Sequence, residues 1–214
     1  MKCQTATEER FNSMTHMLGT IAALIGLVLL LRQQTDPWKL FSFAIFGSTM
    51  VLLYATSTLY HALNGRAKKI LRKLDHLAIY LLIAGTYAPF TLVTLRDEWG
   101  WPAFWIVWGL AILGIIIDLL PNRNGRRILP VIIYLAMGWM ALFLSQPLLD
   151  NLPLTGFIWL LCGGLSYTCG LIFYGFDGRV KYFHTIWHLF VLAGAALHFV
   201  GILLYYGWPE TIAA

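Results

Sequence analysis

Seven stretches free of Asp, Glu, Lys and Arg divide this sequence, at 13–31, 40–63, 77–95, 99–117, 128–149, 151–176 and 182–209. Each is close to or above the roughly 20 residues that a helix needs to cross the hydrocarbon core of a bilayer. In lipid a backbone must pair its own polar groups, so apolar runs of this length fold as spanning helices. Composition agrees, with 59% hydrophobic and only 12% charged residues in a chain of 214, whereas a soluble domain carries about 25% charged residues. The expected fold is an all-α integral membrane protein. It is a seven-transmembrane helix bundle forming one domain over 1–214, with helices near 13–31, 40–63, 75–95, 99–120, 128–147, 153–175 and 182–206. Pro130 and Pro147 are expected to trim the fifth helix at both ends. The fifth and sixth are parted by Asp150 alone, within the turn chemistry of Pro147, Asn151 and Pro153.

The connections are too short to hold a soluble domain, and the chain carries no internal repeat. Lys and Arg outnumber Asp and Glu by 15 to 10, an excess that fits topology and anionic lipid contact rather than nucleic acid. Three cysteines give no disulfide framework. Cys3 lies on a short tail, and Cys162 and Cys169 are expected to be core residues of one helix. Glu8, Glu9 and Arg10 precede the first apolar run without a small-residue cleavage site, so that run is expected to be a retained helix rather than a signal peptide.

Basic residues set the orientation. The N-terminal tail and the second, fourth and sixth connections share one side and hold 12 Lys and Arg, while Arg32, Lys39 and Arg96 are the 3 on the other. The N-terminus is therefore expected in the cytoplasm and the C-terminus outside. In the second connection Ala67, Ile70, Leu71 and Leu74 recur at helical spacing among five basic residues. That pattern suits a short helix lying on the cytoplasmic leaflet, with a solvated basic loop as the alternative.

The topology gathers polar groups at one depth. His61 ends the second helix, Asp75 and His76 begin the third, His184 and His188 begin the seventh, and His16 begins the first. Ionisable groups in a membrane are costly and mark functional sites. His184 and His188 are four residues apart, about 40° around a helix and 6 Å along it, so both imidazoles reach one metal ion. Three imidazoles with one open position suit a catalytic zinc, and His61, His184 and His188 are the expected ligands. Asp75 is then either a direct ligand or the proton acceptor for a water at the metal. Ser57, one turn before His61, faces the same site. His16 is expected to be a helix-start residue with its own hydrogen bonds, or alternatively to stand behind the metal ligands and support them, and His76 to be interfacial. His198 lies about 15 Å further along by helical rise, where an interhelical hydrogen bond would satisfy it.

Several motifs together carry a family resemblance: Glu9-x2-Asn12-x3-His16, Ser57-Thr58-Leu59-Tyr60-His61, Leu74-Asp75-His76, Ala84-Gly85-Thr86-Tyr87, Tyr134 to Trp139, and His184-x3-His188. From about residue 8 to residue 206 the chain resembles the bacterial hemolysin III proteins. These belong to the progestin and adipoQ receptor superfamily and are distantly related to the alkaline ceramidases. The resemblance implies a seven-helix bundle with one zinc near the cytoplasmic side. It implies His61, His184 and His188 as ligands, Asp75 on the water at that zinc, and Ser57 beside it.

Three functions follow as expectations. The first is zinc-dependent hydrolysis of a membrane lipid amide from the cytoplasmic leaflet, in membrane homeostasis at the bacterial plasma (inner) membrane. The second is a sensor or regulator of membrane state with structural zinc. The third, a pore-forming cytolysin, asks for a polar stripe through the full depth of a helix, whereas the polar groups gather at one end. Membrane lipids are the expected partners, and nucleic acid is not.

Overall fold

The computed structural model describes residues 4–32, 34–120 and 127–206. Lys2, Cys3, the 121–125 turn with Arg123, Arg126 and the chain after residue 206 lie outside the described residues. Within them seven helices are long and apolar enough to cross a membrane. They are α1 Ala6–Leu31, α2 Pro37–Ala62, α3 Gly65–Thr94, α4 Arg96–Leu119, α5 Ile128–Asn151, α6 Leu154–Phe176 and α7 Phe183–Tyr206. Neighbours in sequence pack as neighbours in space, and α7 closes the bundle by packing on α1.

Two helices are longer at the site end than the charge-free stretches indicate. A capping box starts α1 at Ala6: the Glu8 amide donates to Thr5 Oγ1 at 3.3 Å, and Glu8 Oε2 accepts from the Thr5 amide at 2.9 Å. The basic segment after Gly65 is continuous with α3 and is not a separate surface helix. Asp75 therefore sits almost three turns inside α3 instead of opening it. Absence of charge marks the hydrocarbon, and a helix can run past it into the headgroup region.

Pro147 does not end α5. The helix tightens to a 3-10 segment at Met140–Leu144 and resumes as Ser145–Asn151, so Pro147 falls in a new first turn, where a missing N–H is tolerated. Tyr87 of α3 accounts for the interruption. Its hydroxyl lies 2.8 Å from the Met137 carbonyl and 2.9 Å from that of Gly138, and accepts from the Ala141 amide at 2.9 Å. A side chain inserted into the ladder in this way breaks the helix locally.

The last two helices pack through small residues repeating every seven. An added Cβ on Gly163 would lie 2.3 Å from the His198 ring, and one on Gly170 would lie 2.7 Å from Phe190. In return Gly194 receives the Tyr167 ring at 2.9 Å. Close backbone approach of this kind replaces the hydrophobic drive that lipid does not provide. Because the glycine stripe faces α7, Cys162 and Cys169, one residue before Gly163 and Gly170, turn outward and are exposed rather than in the core.

Candidate metal centre and cavity

The site is built where the ends of α1, α2, α3, α6 and α7 meet. His61 lies in the last turn of α2, and His184 and His188 lie in the first two turns of α7. One ring nitrogen from each falls within 4.8 Å of the other two, a set that can hold a metal ion. His61 and His188 are buried and His184 is half-buried.

Hydrogen bonds fix which nitrogen of each ring is free. Glu9 Oε2 accepts from His61 Nδ1 at 2.7 Å, and Asp177 Oδ2 accepts from His184 Nδ1 at 2.8 Å. His188 Nδ1 lies 3.2 Å from the Asn12 carbonyl and 3.2 Å from Thr15 Oγ1. The Thr15 hydroxyl already donates to the Asn12 carbonyl at 2.9 Å, so it accepts from His188. Carboxylates and carbonyls only accept. Each Nδ1 therefore carries the proton and each Nε2 keeps its lone pair. His61 Nε2 is buried with no hydrogen-bond partner among the described residues, and a metal ligated by the three Nε2 atoms would satisfy it. A histidine oriented by a carboxylate or carbonyl on its second nitrogen is the usual arrangement at protein metal sites. The donor set fits a metal that favours imidazole.

The N-terminal turns of α1 hold this arrangement together. Lys68 Nζ pairs with Glu9 Oε2 at 2.9 Å and donates to the Tyr60 carbonyl at 3.1 Å, tying the start of α3 to the end of α2. Thr185 donates to Asn12 Oδ1, while Asn12 Nδ2 donates to Gln4 Oε1 at 2.8 Å. Glu8 Oε1 accepts from the Tyr182 amide at 2.9 Å, where the chain takes a left-handed turn (φ 63°) into α7.

Asp75 and Ser57 line a cavity of about 190 Å³ together with His184 and His188. Ser57 Oγ is buried beside Asp75. Asp75 is outside the set of ligand atoms that closes within 4.8 Å. Beyond the histidines the wall is largely apolar and reaches Phe90, Leu144, Leu148 and Phe157 at the other end of the bundle. On α3 the lining runs from Asp75 to Phe90, about 22 Å by helical rise.

His16 takes the second of its two expected roles, behind a ligand, rather than the first. Among the described residues neither of its ring nitrogens has a hydrogen-bond partner. Instead it stacks on His188 with centroids 3.6 Å apart and planes 11° apart, and is buried on the cavity wall. His76 lines the cavity too, half-buried, and its carbonyl accepts from the Tyr134 hydroxyl at 3.0 Å. His198 behaves as expected, its Nε2 donating to the Leu160 carbonyl at 3.1 Å. The spacing Glu9-x2-Asn12-x3-His16 put three polar side chains on one face without showing what each would hold. Asp177, in the turn before α7, carried no signal beyond being the acid nearest to the histidine pair.

Residues 4–199 match the protein family described as Haemolysin-III related. The chain is 40% identical over 206 residues to Hemolysin-3 of Bacillus cereus, an alignment covering 94% of this chain and 93% of that one. It is 30% identical over 208 residues to the monocyte to macrophage differentiation factor of Homo sapiens, covering 94% and 85%. It is also 28% identical over 224 residues to an adiponectin receptor protein of Drosophila melanogaster, covering 91% and 50%.

Proposed function

Because this chain belongs to the haemolysin-III-related family of seven-helix membrane proteins, we propose that it is a zinc-dependent hydrolase of a membrane lipid amide. One observation carries the reading: three imidazoles with free Nε2 lone pairs converge at the polar end of an apolar cavity that also holds Asp75 and Ser57. Zinc suits three nitrogen ligands and an open fourth position, where it acts as a Lewis acid and lowers the pKa of a water to about 7.

The chain's own groups supply the remaining steps. Glu9, Asp177 and the Asn12 carbonyl hold the three rings in one tautomer. The apolar wall takes the acyl chain of a lipid and presents its carbonyl to the histidine end. Asp75 accepts a proton from the water that adds to the carbonyl carbon. Ser57 donates its O–H to the carbonyl oxygen as charge develops there. When the C–N bond breaks, Asp75 returns the proton to the leaving amine, giving a fatty acid and an amine. In this reading the site faces the cytoplasmic leaflet of the inner membrane, with the basic start of α3 beside the headgroups. The apolar wall beyond the histidines favours it over a pore. A sensor with structural zinc would use Asp75 as a fourth ligand, and Asp75 stands outside the ligand set.

The test is Asp75→Asn in purified, zinc-loaded protein supplied with an N-acyl lipid in nanodiscs. The amide cannot take the proton, so zinc content should stay near that of the wild type while fatty-acid release falls by about 10²–10⁴-fold. Equal release by Asp75→Asn and the wild type, or no release by a fully zinc-loaded wild type across N-acyl lipids, removes the hydrolase reading.

A further inference from the structure

The three ligand rings are not held equally by their hydrogen bonds. His61 and His184 each give Nδ1–H to one carboxylate oxygen, at 2.7 and 2.8 Å. His188 has only neutral acceptors, the Asn12 carbonyl and Thr15 Oγ1, both at 3.2 Å. A charged partner makes a hydrogen bond shorter and about twice as strong as a neutral one. The torsion that tilts an imidazole about its Cβ–Cγ bond is broad, so one proton shared between two long contacts sets it loosely. A second constraint acts on the face of this ring. His16 of α1 lies parallel to it, with centroids 3.6 Å apart and planes 11° apart. Tyr54 of α2 packs against His16 in turn, at 5.1 Å and 66°. All three rings are buried. Gly19, one turn beyond His16, keeps the three helices close: a Cβ there would lie 2.5 Å from Leu192 of α7 and 3.2 Å from the Tyr54 ring. With no hydrogen bond among the described residues to set it, the His16 ring takes its orientation from this packing.

We propose that His16 is a positioning residue for the metal centre: its flat face sets the tilt of the His188 ring, and so the direction in which Nε2 presents its lone pair. This rests on the reading of the three histidines as a metal centre and not on hydrolysis. The Nε2 lone pair lies in the ring plane, and a ring that turns about Cβ–Cγ carries it off the metal. The stack opposes that turn, because a ring leaving the parallel drives its edge into a neighbour already in contact. Electronics act in the same direction. A metal draws electron density from the imidazole that ligates it, and an electron-poor ring is attracted to the negative face of a neutral aromatic neighbour. The motif Glu9-x2-Asn12-x3-His16 then has one task, carried out without supplying a ligand. Glu9 orients His61, while the Asn12 carbonyl and the His16 ring orient His188.

Loading the purified protein with cobalt(II) tests this without turnover, because the visible absorption of that ion reports the geometry of its ligands. His16→Leu fills the space without a flat face. Its cobalt spectrum should differ from that of the wild type, and metal release to excess chelator should be about tenfold faster, the low end of the losses that follow when a ligand's support is removed. His16→Phe keeps a ring against His188 and should restore the wild-type spectrum and most of the slow release. Tyr54→Leu leaves His16 in place but removes the ring packed on it, and should shift the spectrum in the same direction by less. Should His16→Leu not fold, Tyr54→Leu decides: an unchanged spectrum there overturns the proposal. A role in packing alone would lower the thermal stability of the metal-free variants while every cobalt spectrum stayed as in the wild type, and that result overturns it. Equal spectral changes in His16→Leu and His16→Phe overturn it as well, since the ring nitrogens rather than the face would then matter. A wild type that takes up neither cobalt nor zinc removes the metal centre, and the proposal falls with it. If the spectral changes hold but no acyl amide is cleaved, the positioning role stands and the hydrolase reading falls.

Discussion

Each of the three imidazoles is held by its own acceptor, two carboxylates and one backbone carbonyl, and that separation makes the centre testable one residue at a time. His61, His184 and His188 are set by Glu9, Asp177 and the Asn12 carbonyl. Purified protein should carry about one zinc per chain, with His61→Ala, His184→Ala and His188→Ala each losing most of it. Full metal content in all three variants, measured by elemental analysis, would sink the ligand assignment. His198→Ala should leave occupancy unchanged. The partners behind the rings should act more weakly, about 10- to 100-fold in metal affinity. Asp177→Leu removes the acceptor of His184 Nδ1 and should show that loss in a chelator competition. Asp177→Asn keeps an acceptor oxygen and should lose less. Similar losses in both variants would mean that the carboxylate's charge, rather than its fixing of the tautomer, is what matters.

At the level of the elements, α5 and the α6–α7 pair are specified by side-chain positions that hydropathy does not register. Tyr87 completes the broken ladder of α5 by serving the Ala141 amide and the Met137 and Gly138 carbonyls. Tyr87→Phe removes the hydroxyl that these groups share in an apolar setting, leaving Met137 with the Met140 amide alone, and should destabilise the fold by about 1–3 kcal/mol in a detergent unfolding assay. The glycines of α6 give a matched pair. Gly163→Ala would press a methyl into the His198 ring, whereas a Cβ on Gly164 meets nothing within 4 Å. The first should cost about 1–3 kcal/mol and the second almost nothing. Equal effects would show that α6 does not face α7 through Gly163.

For the whole molecule, the geometry links orientation to chemistry. The end that holds the three histidines also holds Arg66, Lys68, Lys69, Arg72 and Lys73 at the start of α3, and Lys68 is bonded directly to Glu9. If basic residues keep that end in the cytoplasm, the polar mouth of the cavity meets the inner leaflet. A reporter fused after Ala214 should then score as extracytoplasmic, and one inserted at Asn64 as cytoplasmic. The opposite result would put the histidine end outside and remove the cytoplasmic leaflet as the source of substrate.

The number and order of the spans were legible in the sequence because hydrocarbon tolerates neither charge nor unpaired backbone, and both conditions can be read along one dimension. Depth is that same dimension, so it brought His61, Asp75, His184 and His188 to one end of the bundle before any contact was known. Rotation about each helix axis is a different quantity. It is set by the neighbouring helix, and no residue in the sequence states it. That is why Cys162 and Cys169 face outward, why His16 stacks on His188 instead of forming hydrogen bonds, and why the glycine stripe of α6 meets His198. The length of α1 and α3 beyond the charge-free stretches had the same standing. Those extra turns bring Glu9 to His61 and Lys68 to Glu9, and only the packed bundle makes a neighbour of residues 52 positions apart. The sequence by itself determined the spans and the depth of the histidines, and the tertiary structure decided which nitrogen of each ring was left free.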